Sequence, residues 1–261
     1  MDREDRLSHL VDYIIAQGTV HVEEVMEKFA VSGPTARRDL DALAEQQLVE
    51  RTRGGARSNP TSADLPLRLR TSRRWHEKSA IARKVASLVE PGSVIAFNGG
   101  TTTTAAAYEV GVRAAADQSF AGAETTVVTN AVNIANDLIV RPQLRIVVVG
   151  GVARARSYEL IGPLTGLILP EITIDTLFLG VTAVDTSRGL FTTHEGEASV
   201  NAALVAAARR TVVLADATKF ATTAFARICP LDAVDAVIVD DGIGDGDARA
   251  VHDAGIELIR A

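Results

Sequence analysis

Apolar residues recur with a helical period through the first part of the chain. Beyond about residue 77 they gather into short blocks separated by amphipathic runs, so two kinds of folding unit are expected. Leu7, Leu10, Val11, Ile14 and Ile15 follow the i, i+3, i+4, i+7, i+8 spacing of a half-buried helix, which Gly18 stops. Val22, Val25, Met26 and Phe29 predict a two-turn helix packed beside it. After a turn at Ala30-Val31, Ser32 can cap a third helix running to about Ala44, with Pro34 tolerated in its first turn because those N–H groups need no intrahelical carbonyl. Along that helix Ala36, Leu40 and Leu43 face the other helices, leaving Thr35, Arg37, Arg38 and Asp41 towards solvent. Leu48 to Gly55 then alternates as a strand ending at a glycine turn, which is a wing.

The second region reads as alternating strands and helices. Ile81, Val85 and Leu88 line a helix, Val94 to Phe97 form a buried strand, and Thr102 to Val110 a helix opened by a polar loop. Further strands are expected at Val127 to Thr129, Arg145 to Val149, Thr176 to Leu179, Val212 to Ala215 and Ala236 to Val239. Helices are expected at Val132 to Val140, Leu164 to Leu169, Ala198 to Ala208 and Asp247 to Ala254. Strands buried on both faces and separated by helices predict an α/β, largely parallel, doubly wound sheet, which binds ligands at the carboxyl ends of its strands.

Charge locates the boundary. Residues 1 to 50 carry 5 bases and 11 acids, residues 51 to 78 carry 8 and 2, and residues 79 to 261 carry 14 and 20. The basic stretch holds Arg51, Arg53, Arg57, Arg68, Arg70, Arg73, Arg74 and Lys78, and includes a breaker-rich run from Gly54 to Ser62. The expected organisation is a winged head over 1–58, a basic linker over 59–76 and an α/β unit over 77–261. A single cysteine, Cys229, excludes a disulfide scaffold and a thiolate metal cluster. A charged N-terminus and short apolar runs predict a cytoplasmic protein with no membrane partner.

Two constellations carry chemistry. A short helix, a tight turn and a third helix bearing paired arginines form a helix-turn-helix, whose third helix enters the major groove of double-stranded DNA by its N-terminal residues. The candidate DNA contacts are Ser32, Thr35, Arg37 and Arg38, with the wing arginines Arg51 and Arg53. One such head is too small to select a genomic site, so a homodimer or homotetramer is expected. In the second region, Asn98, Gly99, Gly100, Thr101, Thr102 and Thr103 follow a strand and open a helix. Free N–H groups, permissive glycines and hydroxyl donors there make a cradle for a phosphate. Asn130, Gly151 and Lys219 follow other strands and join the candidate effector site. The loop has neither a Gly-Lys-Ser/Thr nor a Gly-x-Gly-x-x-Gly pattern, so ATP and NAD are disfavoured, and neither a cofactor nor a metal is expected.

The head resembles the DeoR family of bacterial transcriptional regulators. The match lies in Phe29-Ala-Val31-Ser32-x-x-Thr35-x-Arg37-Arg38-Asp39-Leu40-x-x-Leu43, then Leu48-Val-Glu-Arg51 and Gly54-Gly55-Ala56. The second region is similar to that family's sensor domain at Glu77-Lys78, Gly100-Thr101-Thr102-Thr103, Val128-Thr129-Asn130, Gly150-Gly151, Ser157-x-x-Leu160-Ile161-Gly162-Pro163, Asp175-x-x-Phe178-Leu179-Gly180, Gly189-Leu190 and Ala215-Asp216-x-x-Lys219-Phe220. The resemblance implies a fold related to ribose-5-phosphate isomerase, and a repressor of a sugar or carbohydrate catabolic operon controlled by a phosphorylated metabolite. Departures stand at Ala36, where a larger aliphatic residue is usual, and at Gly33-Pro34 in the turn. Asn98-Gly99 replaces an Asp-Ser pair, and Asn201 a lysine.

The alternative is a sugar-phosphate isomerase or deaminase carrying a DNA-binding head. Against it, the related enzymes' acid/base blocks are represented here by Gly180-Val-Thr-Ala-Val-Asp185 and Thr193-His194-Glu195-Gly196, so binding without turnover is expected. His194 reads either as a ligand contact or as a capped helix start.

Overall fold

A computed structural model describes residues 3–45, 49–58, 74–220 and 222–261, and the chain divides into two units between residues 73 and 74. Much of the basic linker, with Arg68, Arg70 and Arg73, lies outside the described residues, as do Leu48 and the side chain of Ile15.

In the first unit α1 (Arg3–Gln17), α2 (Val22–Phe29) and α3 (Gly33–Glu45) enclose a core of Leu10, Val11, Ile14, Val22, Val25, Ala36, Leu40 and Leu43. Gly18 ends α1 at φ +75 and Ala30 ends α2 in the left-handed region. A short strand β1 (Thr19–His21) was not visible in the sequence. It pairs antiparallel with β3 (Gly55–Ser58), which also pairs with β2 (Val49–Thr52). The Gly-Gly-Ala run has a physical reading here. Gly54 turns at φ +107, a Cβ on Gly55 would lie 1.9 Å from the Val20 carbonyl oxygen, and Ala56 is fully buried. Met26, expected in the core, is 36% exposed.

The second unit is built on a seven-stranded, wholly parallel sheet in the order β15-β14-β12-β9-β4-β5-β6. Its strands are β4 (Val94–Phe97), β5 (Thr125–Thr129), β6 (Leu144–Val148), β9 (Ile174–Gly180), β12 (Ala208–Leu214), β14 (Ala236–Val239) and β15 (Glu257–Arg260). Separate apolar layers cover its two faces. One is built around α4 (Trp75–Leu88), α5 (Thr101–Ala116) and α6 (Val132–Leu138), the other around α7 (Glu195–Ala207) and α8 (Asp245–Asp253). That is the doubly wound arrangement the alternation of strands and helices predicts. Helix α4 starts at Trp75, so Trp75 and His76 belong to a helix rather than to a linker.

Two small antiparallel sheets complete the unit, β7 (Val152–Arg154) with β8 (Glu159–Ile161), and β10 (Ala183–Asp185) with β11 (Gly189–Thr192) and β13 (Ala226–Cys229). The helix expected over Leu164 to Leu169 is instead two 3-10 turns, Pro163–Leu167 and Leu169–Glu171. Pro170 has no N–H to carry an α ladder on past Leu169. Leu88, assigned to the core by its spacing, is 41% exposed, and Ala82 and Ala86 take the inward positions with Val85.

Candidate functional site

Helix α3 keeps Ala36, Leu40 and Leu43 fully buried, and its period of 3.6 then turns Arg37, Arg38 and Asp41 outward. Ser32 Oγ accepts from the Thr35 N–H at 3.4 Å and lies 2.8 Å from the Thr35 hydroxyl, so the two polar side chains expected on DNA hold the helix start. Arg53 stands exposed at the wing turn. Arg51 is exposed but held by partners within the head. Its Nε donates to Asp41 at 2.7 Å and a second guanidinium nitrogen donates to the Gly55 carbonyl, so it ties the wing to α3. Asp39, between the arginines and Leu40, stands in the family motif, but no role follows for it from the sequence. It is 2% exposed and accepts from Arg6 of α1 at 2.7 Å, which locks the arginine-bearing helix to the head.

In the sensor-like unit β5 and β6 lie on one side of β4, whereas β9, β12, β14 and β15 lie on the other. The carboxyl ends of β4 and β9 therefore flank a topological switch point, where open α/β sheets bind ligands. Asn98 through Thr103 stand at that point. Gly100, at φ +149, precedes α5, and no side chain caps the helix. The first N–H groups of an uncapped helix are the donors that an anion meets.

Several expected ligand donors are already engaged. The Asn98 amide continues the β4–β9 ladder, donating to the Gly180 carbonyl at 2.9 Å and accepting from the Gly180 N–H at 2.8 Å. The hydroxyls of Thr103 and Thr104 donate back to the Gly100 carbonyl at 3.0 and 2.7 Å. The loop thus offers backbone donors more than hydroxyl donors. Gly151, at φ +145, is required by packing, since a Cβ there would lie 2.8 Å from the Ile161 carbonyl oxygen. Lys219 is half-buried in the turn after β12, two strands from β4.

The structure adds Glu159 to this end of the sheet and sets Glu197 beside it. The β7–β8 hairpin folds against β5 through Leu160 N–H to the Asn130 carbonyl and Val132 N–H to the Tyr158 carbonyl. This sets Glu159 Oε1 3.1 Å from the Gly99 N–H and 3.3 Å from Asn130 Nδ2, so Gly99 and Asn130 share one acceptor. Glu197, in the first turn of α7, accepts from Arg154 at 3.1 Å and from the Thr192 hydroxyl at 3.0 Å. Burial first, and the charge of Glu197 second, push the Glu159 carboxyl up to about 8. A lone glutamate in a short strand gave no periodic signal. Only its place within the Ser157 to Pro163 run hinted at it. His194 proves to be the helix start, its Nδ1 accepting from the Gly196 N–H at 3.0 Å. Cys229 is buried, which pushes its thiol up to about 11.

Comparison with known proteins bears on both units. Residues 6–62 match the DeoR-like helix-turn-helix domain, and residues 73–241 match the DeoR C terminal sensor domain. The chain belongs to the DeoR family. Among its family relatives, the glycerol-3-phosphate regulon repressor of Escherichia coli (strain K12) is 32% identical over 240 residues, 92% of each chain. The putative aga operon transcriptional repressor of Escherichia coli O157:H7 is 29% identical over 258 residues, 98% of this chain and 93% of that one. A ribose 5-phosphate isomerase A from Methanocaldococcus jannaschii is 19% identical with a TM-score of 0.40, covering 55% of this chain and 53% of its own. The fold of this DeoR-family chain accordingly rests on its own strand order. Among the described residues no helix is long and apolar enough to cross a membrane.

Proposed function

We propose that this DeoR-family chain is a transcriptional repressor of a sugar or carbohydrate catabolic operon, acting in the cytoplasm as a homodimer or homotetramer. A small phosphorylated metabolite, held where α5 begins, changes its hold on operator DNA. The observation that carries the reading is the exposure of Arg37 and Arg38 on the first half of α3, whose other face is fully buried. The sugar-operon context draws support from the relatives, a glycerol-3-phosphate regulon repressor and a putative aga operon transcriptional repressor. Control by the metabolite requires that it favour one arrangement of the assembly over another.

A mobility-shift titration on the promoter fragment of the chain's own gene tests the DNA half. Arg37→Ala and Arg38→Ala should each weaken binding about ten-fold to a hundred-fold, the cost of about 1–3 kcal/mol for a lost base contact. Undiminished binding by both variants overturns the assignment. A second reading, a phosphosugar isomerase with a DNA-binding head, draws on one observation, the buried Glu159 carboxyl pushed up to about 8, in the range suited to proton transfer. Interconversion of ribose 5-phosphate and ribulose 5-phosphate by the full chain would support it.

A further inference from the structure

The two edges of the seven-stranded sheet, β15 and β6, are built differently. β15 carries an exposed charge at each end, Glu257 paired with Arg210 at 2.6 Å and Arg260 lying 3.8 Å from Asp241. Charged side chains of this kind guard an edge against pairing with another chain. β6 reads Leu144-Arg-Ile-Val-Val148, with Arg145 its one charge. Val148 is 41% exposed, and exposed apolar side chains continue on both flanks, Ile139 and Val140 on the way into the strand and Val152 just beyond it. The Val149 N–H donates to the Thr129 carbonyl of β5 at 2.8 Å. Because backbone groups alternate sides along a strand, the N–H and C=O groups of Ile146 and Val148 point away from β5. Among the described residues no strand pairs with that side of β6. An apolar edge with an open row of ladder groups is a template for another strand.

We infer that this edge is where two copies of the chain join, β6 pairing antiparallel with β6 of the second copy about a two-fold axis centred on Val147. The inference deepens the proposed homo-oligomer and rests on it. A two-fold axis requires a surface that complements itself, and the strand does so in this register. Ile146 of each copy stands opposite Val148 of the other, and such a pair exchanges both N–H···O bonds, so the outward groups of both residues are met. Residues two apart share a face, so both side chains lie in the layer where Ile146 already packs, and that layer continues across the axis. Centring on Arg145 instead would set two guanidiniums opposite each other, which is unfavourable. The single charge of β6 offers a strand of other sequence no ionic anchor, whereas a second copy matches it residue for residue.

Analytical ultracentrifugation of the full chain measures its self-association. Val148→Pro removes an outward N–H and spares the ladder to β5, while Val148→Lys sets a charge on the exposed apolar edge. Each should weaken association at least about ten-fold, because the two-fold axis doubles every loss. Circular dichroism reports whether the fold is kept, and Val148→Lys carries the test if the proline disturbs the strand. Val147→Cys adds a positive readout. Its two copies face each other across the axis as a non-hydrogen-bonded pair with Cα atoms about 4.5 Å apart, within disulfide reach, and the native Cys229 is buried. Mild oxidation should give a cross-linked dimer on a non-reducing gel. Association unmoved in both Val148 variants, or no cross-linked band, overturns the inference and leaves the homo-oligomer standing. A monomeric unmutated chain overturns that reading and the inference together, and leaves the edge to a strand of another protein.

Discussion

The head carries Arg37, Arg38 and Arg53 on its surface, while the sensor unit keeps Asn98, Thr103, Asn130 and Glu159 buried at the end of its sheet. An exposed arginine costs the fold little and adds affinity mainly through phosphates and base edges, so its removal weakens binding without unfolding the head. A buried polar group must find partners as the chain folds, and the cradle residues find them in one another. Asn98 is matched with Gly180, Thr103 with Gly100, and Glu159 with Gly99 and Asn130. Substitutions in the sensor site should therefore register in stability as well as in ligand binding. The difference predicts which assay each unit answers to.

The head breaks this rule at one position. Asp39 is buried within the arginine-bearing helix and pairs with Arg6, whose side chain is 16% exposed. Asp39→Ala removes the buried carboxylate that accepts from Arg6, and about 1.5–3 kcal/mol is the usual contribution of a hydrogen bond to a charged group. The expected outcome is a head that unfolds at lower temperature and releases DNA, followed by circular dichroism and mobility shift, while the sensor transition stays in place. An unchanged first transition would show that the pair does not hold the head together.

How much of this was legible in the sequence follows from the length of each signal. The helices of the head carry their period over enough residues to be read, and the central strands show as unbroken apolar runs, as Val94 to Phe97 and Ala236 to Val239 do. Strands of mixed polar and apolar residues such as β1, β8 and β11 give neither an unbroken run nor a long alternation, and with them Glu159 stayed hidden. Partners remote in sequence were also out of reach. Nothing local joins Arg6 to Asp39, Asn98 to Gly180 or Gly99 to Glu159. Arg51, expected on DNA from its place in a basic wing, likewise has partners the local pattern does not announce, Asp41 and the Gly55 carbonyl.

The fit of Gly99 to Glu159 gives the next largest effect in the sensor. A Cβ on Gly99 would lie 2.2 Å from Glu159 Cγ, so Gly99→Ala forces the buried glutamate aside and should cost about 1–3 kcal/mol, the range for overpacking a filled site. Glu159→Ala in the same chain removes the obstruction, so the double variant should recover most of that loss in urea unfolding. A coupling near zero in the double-mutant cycle would mean that the two residues do not share the space.

The smallest expected effect is the pH dependence of the sensor transition, which sharpens the contrast with the head because it arises from a single buried carboxyl. Burial and the facing Glu197, itself paired with Arg154 and Thr192, raise Glu159 from 4.5 to about 8. In the unfolded chain that proton leaves near the lower value, and in the folded chain it stays until the upper one. Over that window the folded state holds more protons. Its contribution to stability is full below the unfolded value and is lost as pH rises through the folded one. Glu159→Gln removes the titration, so between pH 5 and pH 8 its sensor Tm should fall less than that of the unmutated chain. A gap of about 3–6 °C corresponds to roughly 1–2 kcal/mol in a unit of this size. Calorimetric scans at the two pH values measure it, and parallel slopes would show that Glu159 gives up its proton as readily folded as unfolded.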